Sequence, residues 1–165
     1  MAFPHIARRI HEGAVPDALA FASEYRSEDL DRLEEWLVTR GLADAGLIAE
    51  HAARARAVRD LDCNHSLIHG DLQAEHVLVD SGGVSGVIDW SDAGLGDPHY
   101  DLAVLTVGHA EHLDAVVDGY GTFVDRDRIS GYWSWRRLGS VRWMIEHGFD
   151  ASGDLEALRW TSDPQ

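Results

Sequence analysis

No lysine occurs in this chain of 165 residues, for all 14 members of its Lys+Arg class are arginine. Set against 29 acidic residues they leave a formal net charge of -15. That balance argues against nucleic acid or an anionic membrane surface as partner, since both are held chiefly by clustered positive charge. A cationic ligand suits it better, although a solvated acidic surface gives the same number. Cysteine is almost as scarce: Cys63 stands alone, so no intrachain disulfide can form. The first residues, Met1-Ala2-Phe3-Pro4-His5-Ile6-Ala7-Arg8-Arg9, do not follow the basic-then-apolar order of a secretory signal. No apolar run approaches the length that crosses a bilayer. These absences predict a cytoplasmic protein, and the length predicts one folded unit over residues 1–165.

What is present divides into three stretches and predicts a mainly helical α+β fold. Residues 1–62 read as helices. Val15 to Tyr25 is amphipathic with Pro16 near its start, and Ser27 is placed to cap a second helix with Glu28 and Asp29 in its first turn. Leu30, Leu33, Trp36 and Leu37 then share a face, Gly41 stops the helix, and Ala43 to Arg59 forms an alanine-rich successor. The period changes over residues 63–97, where Leu67-Ile68, Val77-Leu78-Val79 and Val87-Ile88 are short apolar runs bounded by Gly, Asp and Ser, as buried strands are. Residues 98–165 return to helical spacing in Tyr100 to Val107, Leu113 to Tyr120, Ile129 to His147 and Leu155 to Trp160.

The middle stretch carries the chemistry. Asp80-Ser81-Gly82-Gly83 is turn material that reverses the chain in a hairpin. With Gly82 and Gly83 as its central residues, Val79 opposes Gly86, Val77 opposes Ile88 and His76 opposes Asp89, so His76 and Asp89 meet at the open end. A slip or a bulge offsets that pair without separating the two ends. Asp71 ends another short strand five residues before His76. Phosphoryl transfer needs such a group of side chains: a magnesium ion held by one or two carboxylates neutralises the transferred group, and a further carboxylate orients the accepting hydroxyl and takes its proton. Asp71 suits the second task and Asp89 the first.

The run Leu67-Ile68-His69-Gly70-Asp71-Leu72-Gln73-Ala74-Glu75-His76-Val77-Leu78-Val79-Asp80, with Gly86-Val87-Ile88-Asp89-Trp90, Gly96-Asp97-Pro98 and Asp101-Leu102-Ala103 behind it, resembles the catalytic region of the aminoglycoside and macrolide phosphotransferases. The resemblance implies the C-terminal lobe of a protein-kinase-like fold, with the hairpin carrying the catalytic loop. It makes Asp71 the catalytic base, Asp89 the magnesium ligand and His76 the second metal-site residue. Asparagine is usual at that third position in aminoglycoside enzymes, and histidine there is similar to the macrolide branch. It also implies Mg2+ with ATP or GTP, and a small hydroxyl-bearing substrate such as an aminoglycoside or a macrolide. The other half of such a site is not visible: there is no G-x-G-x-x-G, and a chain without lysine cannot supply the lysine that anchors the phosphates. The chain therefore reads as the C-terminal lobe with the N-terminal nucleotide lobe absent, and no cofactor-binding residues are assigned. A homodimer covering the face where that lobe packs is the expected partner.

His69 reads as a support of the catalytic loop, and Asp97 and Asp101 as braces that cap the helix beginning at Pro98. Two other readings of the stretch are a non-catalytic module that binds a small molecule or another protein, and a metal-dependent hydrolase built from His69, Asp71, His76 and Asp89. Elsewhere, His109, His112 and Asp114 could hold a metal, although a solvated helix face is the usual meaning of such spacing. Trp133, Trp135, Trp143 and Trp160 are spaced as core residues, and Arg136, Arg137 and Arg142 as partners for carboxylates.

Overall fold

A computed structural model describes residues 4–13, 30–59 and 65–159. Both the helix expected over Val15 to Tyr25 and its successor's cap at Ser27 lie outside those residues, as does Trp160. The chain divides into two compact units, one of Met1–Arg26 with Asp62–Ile129 and one of Ser27–Leu61 with Ser130–Gln165.

The first unit holds α1 (Pro4–His11), β1 (Ser66–Ile68), β2 (Val77–Asp80), β3 (Gly83–Val87), β4 (Gly94–Gly96), α4 (Pro98–Thr106) and α5 (Leu113–Tyr120). It also contains the start of α6 (Arg126–Glu146). β1 pairs antiparallel with β4 and β2 with β3, giving two two-stranded sheets. Ile68, Leu72, Leu102 and Ala103 are fully buried and form the floor of the site. Each leucine or isoleucine so buried contributes about 1.5–3 kcal/mol of transfer free energy. β4 is not readable from hydrophobic period. α1 is a single short helix rich in arginine, and β4 is Gly-Leu-Gly, which holds its place by the register Ser66↔Gly96, Leu67↔Leu95, Ile68↔Gly94.

The hairpin register differs from the expected one. Ser81 and Gly82, not Gly82 and Gly83, are the central turn residues, both at positive φ (49° and 80°), as a two-residue type I′ turn requires. Asp80 then faces Gly83 and Val79 faces Val84, and a bulge brings Leu78 opposite Gly86 and Val77 opposite Val87. The Ile88 amide donates to the His76 carbonyl at 3.0 Å. His76 thus faces Ile88, and Asp89 lies one residue beyond the ladder. The extra residue in β3 is the offset that a bulge introduces.

Asp97 caps α4 as expected, accepting from the His99 amide at 3.0 Å with Pro98 in the first turn. It also accepts from His99 Nδ1 (2.7 Å) and Arg128 (2.8 Å). Burial alone pushes its carboxyl up, but the hydrogen bonds from His99 and Arg128 outweigh burial and bring it down to about 2 from the ordinary 3.8. A carboxyl lowered on folding contributes stability that is complete above the unfolded value and is lost as pH falls through the folded one. The shift amounts to about 2 kcal/mol. Urea midpoints taken near pH 7, 4 and 2 are expected to fall more steeply towards acid for wild type than for Asp97→Asn, and parallel acid limbs would contradict this.

The second unit packs α2 (Leu30–Thr39), α3 (Ala45–Arg59), the rest of α6 and α7 (Ser152–Ala157) around Leu30, Leu33, Leu37, Ile48, Ala52, Leu138, Val141 and Leu158. α3 starts behind Asp44, whose carboxylate accepts from the Leu47 amide at 3.0 Å. Buried His51 donates from Nε2 to the Leu158 carbonyl (2.8 Å) and meets the Ser134 hydroxyl through Nδ1 (3.0 Å). Burial lowers its pKa, which keeps the ring neutral and able to bridge both partners. Trp133 is buried and Trp135 packs on this core, whereas Trp143 is exposed and stacks with His147 and Phe149.

Candidate active site

The site is built on the loop that leaves β1. Gly70 stands at φ 83°, and a Cβ there would lie 2.1 Å from the Asp92 carbonyl oxygen, so only glycine lets the loop pass under the turn after β3. Asp101, on the first turns of α4 and fully buried, accepts from the amides of His69 (2.7 Å) and Gly70 (2.9 Å). Those two bonds fix the backbone just ahead of Asp71.

Asp101 has a third partner that spacing did not reveal. His11, at the end of α1, lies with Nε2 3.1 Å from an Asp101 oxygen and Nδ1 2.7 Å from the Tyr120 hydroxyl. A carboxylate can only accept, so Nε2 donates to Asp101 and Nδ1 takes the Tyr120 proton. Burial, with the charges of Asp101 and Asp97 nearby, pushes the Tyr120 hydroxyl up to about 12, so it stays a donor. The chain from Tyr120 through His11 and Asp101 to the loop amides ties α5, α1 and α4 to one turn. A lone histidine on a helix with no sequence motif gives no signal of such a role.

His69 supports the loop as expected: its Nε2 donates to the Ile88 carbonyl (2.9 Å), its Nδ1 accepts from the Asp71 amide (3.3 Å), and its ring lies against Trp90 with centroids 4.7 Å apart. Both ring nitrogens are therefore used inside the protein. His76 Nδ1 is 2.7 Å from the Asp71 carbonyl and must donate to it, which leaves the Nε2 lone pair turned towards Asp89, 3.8 Å from Oδ2. His76 Nδ1 is also 3.8 Å from Asp71 Oδ2. Asp71, His76 and Asp89 are thus brought together, with Asp71 and His76 mostly sheltered and the Asp89 side chain 55% exposed. Asp89 is at φ 59°, a left-handed conformation uncommon outside glycine that functional sites retain, and Ser91 donates to it at 3.0 Å.

Among the described residues no group of three or more His, Cys, Asp or Glu side chains is arranged to hold a metal ion. The four-residue hydrolase centre is therefore not formed, because His69 has no nitrogen to spare. His109 and His112 stack on each other beside Glu111, while Asp114 pairs with Arg126 at 2.6 Å, so no metal site forms there either. Arg142 pairs with Glu146 at 3.0 Å, as its surroundings suggested.

A model of the phosphotransferase enzyme family matches residues 5–138. The chain belongs to that family. Viomycin phosphotransferase of Streptomyces vinaceus is 37% identical over 98 residues, 54% of this chain and 33% of that protein. Hygromycin-B 4-O-kinase of Escherichia coli is 46% identical over 37 residues, 22% of this chain and 11% of that protein. Among solved structures, an aminoglycoside 2'-phosphotransferase in its GDP complex matches with a TM-score of 0.69 at 21% identity, over 96% of this chain and 59% of that one. A choline/ethanolamine kinase family protein from Mesorhizobium loti matches with a TM-score of 0.71 at 16% identity, over 98% of this chain and 61% of that one. The fold is therefore the kinase-like fold of these phosphotransferases. The chain spans about a third of the viomycin relative and about three-fifths of the solved chains. No helix among the described residues is long and apolar enough to cross a membrane.

Proposed function

We propose that residues 1–165 act as the C-terminal, catalytic lobe of a phosphotransferase that moves the terminal phosphoryl group of ATP or GTP to a hydroxyl of a small molecule, an aminoglycoside or a macrolide. One observation carries this reading: Asp71 stands on a loop held by the buried Asp101, with His76 and Asp89 converging on its open side. Asp71 orients the acceptor hydroxyl and takes its proton. The Asp89 carboxylate fits Mg2+, which prefers oxygen and keeps several waters, while imidazole is a poor ligand for it, so His76 Nε2 serves better by accepting from a metal-bound water. Bound there, Mg2+ supplies charge neutralisation for the transferred phosphoryl group. Exposed Leu78 and Ile88 lie beside this edge and offer a flat apolar surface for a base. Names of the relatives support an antibiotic-like substrate, the acidic surface suits a cationic one, and a cytoplasmic site gives access to nucleotide and Mg2+.

Calorimetric titration with Mg2+ and ATP or GTP tests it. Binding at millimolar concentration or tighter is expected, weakened about tenfold or more in Asp89→Asn, the order of effect of losing a charged ligand. Absence of nucleotide binding by wild type refutes an autonomous kinase and favours a binding module.

A second reading rests on Leu78, Val79, Ile88 and Trp90, all exposed by 41–48% on or beside the hairpin. Large apolar side chains exposed together mark a surface that packs against something, and a second copy of the chain could cover them. Sedimentation is expected to show a dimer that Leu78→Ser with Ile88→Ser converts to monomer; a wild-type monomer at all concentrations sinks this reading.

A further inference from the structure

A cavity of about 420 Å³ opens in the first unit where α1, β1 and β3 come together, and neither Asp71 nor His76 lines it. Its volume falls within the roughly 300–1,000 Å³ of small-ligand sites. Ile6 and Ile10 of α1, Leu67 of β1, Val84 and Val87 of β3, and Trp90 give it an apolar wall. Ile6, Leu67, Val84 and Val87 are only half-buried, so part of their apolar surface remains to be covered. Charge decides what covers it. Arg9 is the one charged residue in the wall, and no acid lines it although the chain carries 29 acidic residues. Its neighbour Arg8 is engaged with Glu12 at 2.6 Å, whereas among the described residues the Arg9 guanidinium has neither hydrogen bond nor ion pair.

We propose that this cavity is a binding site for an apolar carboxylic acid, its hydrocarbon part seated against the aliphatic wall and Trp90 and its carboxylate on Arg9. A guanidinium offers a carboxylate two parallel N–H donors, and it is more weakly hydrated than an ammonium, so it gives up water readily beside an apolar wall. A neutral molecule of the same shape covers the wall but leaves those donors without an acceptor, and a cationic one is repelled. The ligand is bound and not transformed. The wall holds no carboxylate, imidazole or thiol, and its one hydroxyl, that of Ser85, has no base in the wall to activate it. Trp90 follows Asp89 in sequence, donates from Nε1 to the Val87 carbonyl at 2.9 Å, and rests on His69 with ring centroids 4.7 Å apart. A ligand in the cavity therefore meets an indole held in place, and the site stands whether or not the chain transfers phosphoryl groups.

Calorimetric titration of the full chain with decanoate and with cinnamate tests the proposal, decanol and decylamine serving as neutral and cationic molecules of matched length. Saturable binding of decanoate or cinnamate below millimolar concentration is expected, and the tighter of the two tells whether a chain or a ring is preferred. Decanol is expected to bind about threefold to tenfold more weakly than decanoate, the scale of one partly exposed charge pair, and decylamine more weakly still. Arg9→Gln is expected to bring decanoate down to the affinity of decanol, and Val84→Trp, which fills the wall, to abolish binding. Tryptophan emission is expected to change on binding in wild type, and that change is expected to disappear in Trp90→Phe while the heat remains. No saturable binding of either carboxylate at millimolar concentration overturns the proposal, as does decanol or decylamine binding wild type as tightly as decanoate. Those outcomes are read on the wild-type chain, so the proposal stays open to refutation even if a variant fails to fold. Full decanoate affinity in folded Arg9→Gln overturns it as well.

Discussion

Asp101→Ala is expected to cost about 3–5 kcal/mol of folding stability, the scale of removing one member of a buried charged network. The variant leaves the amides of His69 and Gly70 buried without their acceptor and removes the partner of His11 Nε2. Each orphaned donor costs about 1–3 kcal/mol. Because whole domains are stable by only about 5–15 kcal/mol, a loss of this size brings the first unit close to unfolding near body temperature. Asp101→Asn keeps one acceptor oxygen and should fall between variant and wild type. Urea unfolding followed by tryptophan fluorescence measures all three. A shift below about 1 kcal/mol for Asp101→Ala would show that solvent reaches the loop amides and that the brace is dispensable.

Gly70→Ala is expected to damage the loop from the opposite side, by adding an atom. The new Cβ falls 2.1 Å from the Asp92 carbonyl oxygen and 2.8 Å from its carbon, both backbone atoms, while φ at 83° is already unfavourable for alanine. Left-handed backbone costs an ordinary residue about 1–2 kcal/mol, and the clash adds to it because the two backbones must separate. We expect a total of about 3 kcal/mol or more, with Asp71 pulled away from Asp89. Differential scanning calorimetry gives the first quantity, and loss of Mg2+-nucleotide binding at unaltered secondary structure gives the second. An unchanged melting temperature would mean that the loop and the Asp92 turn slide past each other without cost.

Much of this site was legible from residue types and spacing. Turn chemistry at Asp80-Ser81-Gly82-Gly83 located the hairpin, and pairing across it predicted that His76 and Asp89 would meet, which the 3.8 Å between His76 Nε2 and Asp89 Oδ2 reflects. The register was off by one because two adjacent glycines gave no reason to prefer Ser81 at positive φ, and a bulge leaves no mark in an alternation only a few residues long. β4 was missed since Gly-Leu-Gly has no period to read. His11 was missed for a different reason: it acts through hydrogen bonds to partners that only the fold brings to it. Asp97 and Asp101 were recognised as braces, but that Asp101 holds the loop amides depends on α4 starting where it does.

The hydrogen bond between His11 and Asp101 spans 90 residues of sequence. At a synthesis rate of about 5–20 residues per second, His11 leaves the ribosome roughly 5–20 s before its partner. Over that interval α1 has no carboxylate to receive its imidazole proton, and closing so long a loop is slow compared with forming a local helix. The loop carrying Asp71 therefore acquires its fixed shape late, after both halves of the first unit have been made, and a nascent chain stalled before Asp101 holds every proposed reactive group but Asp71's brace.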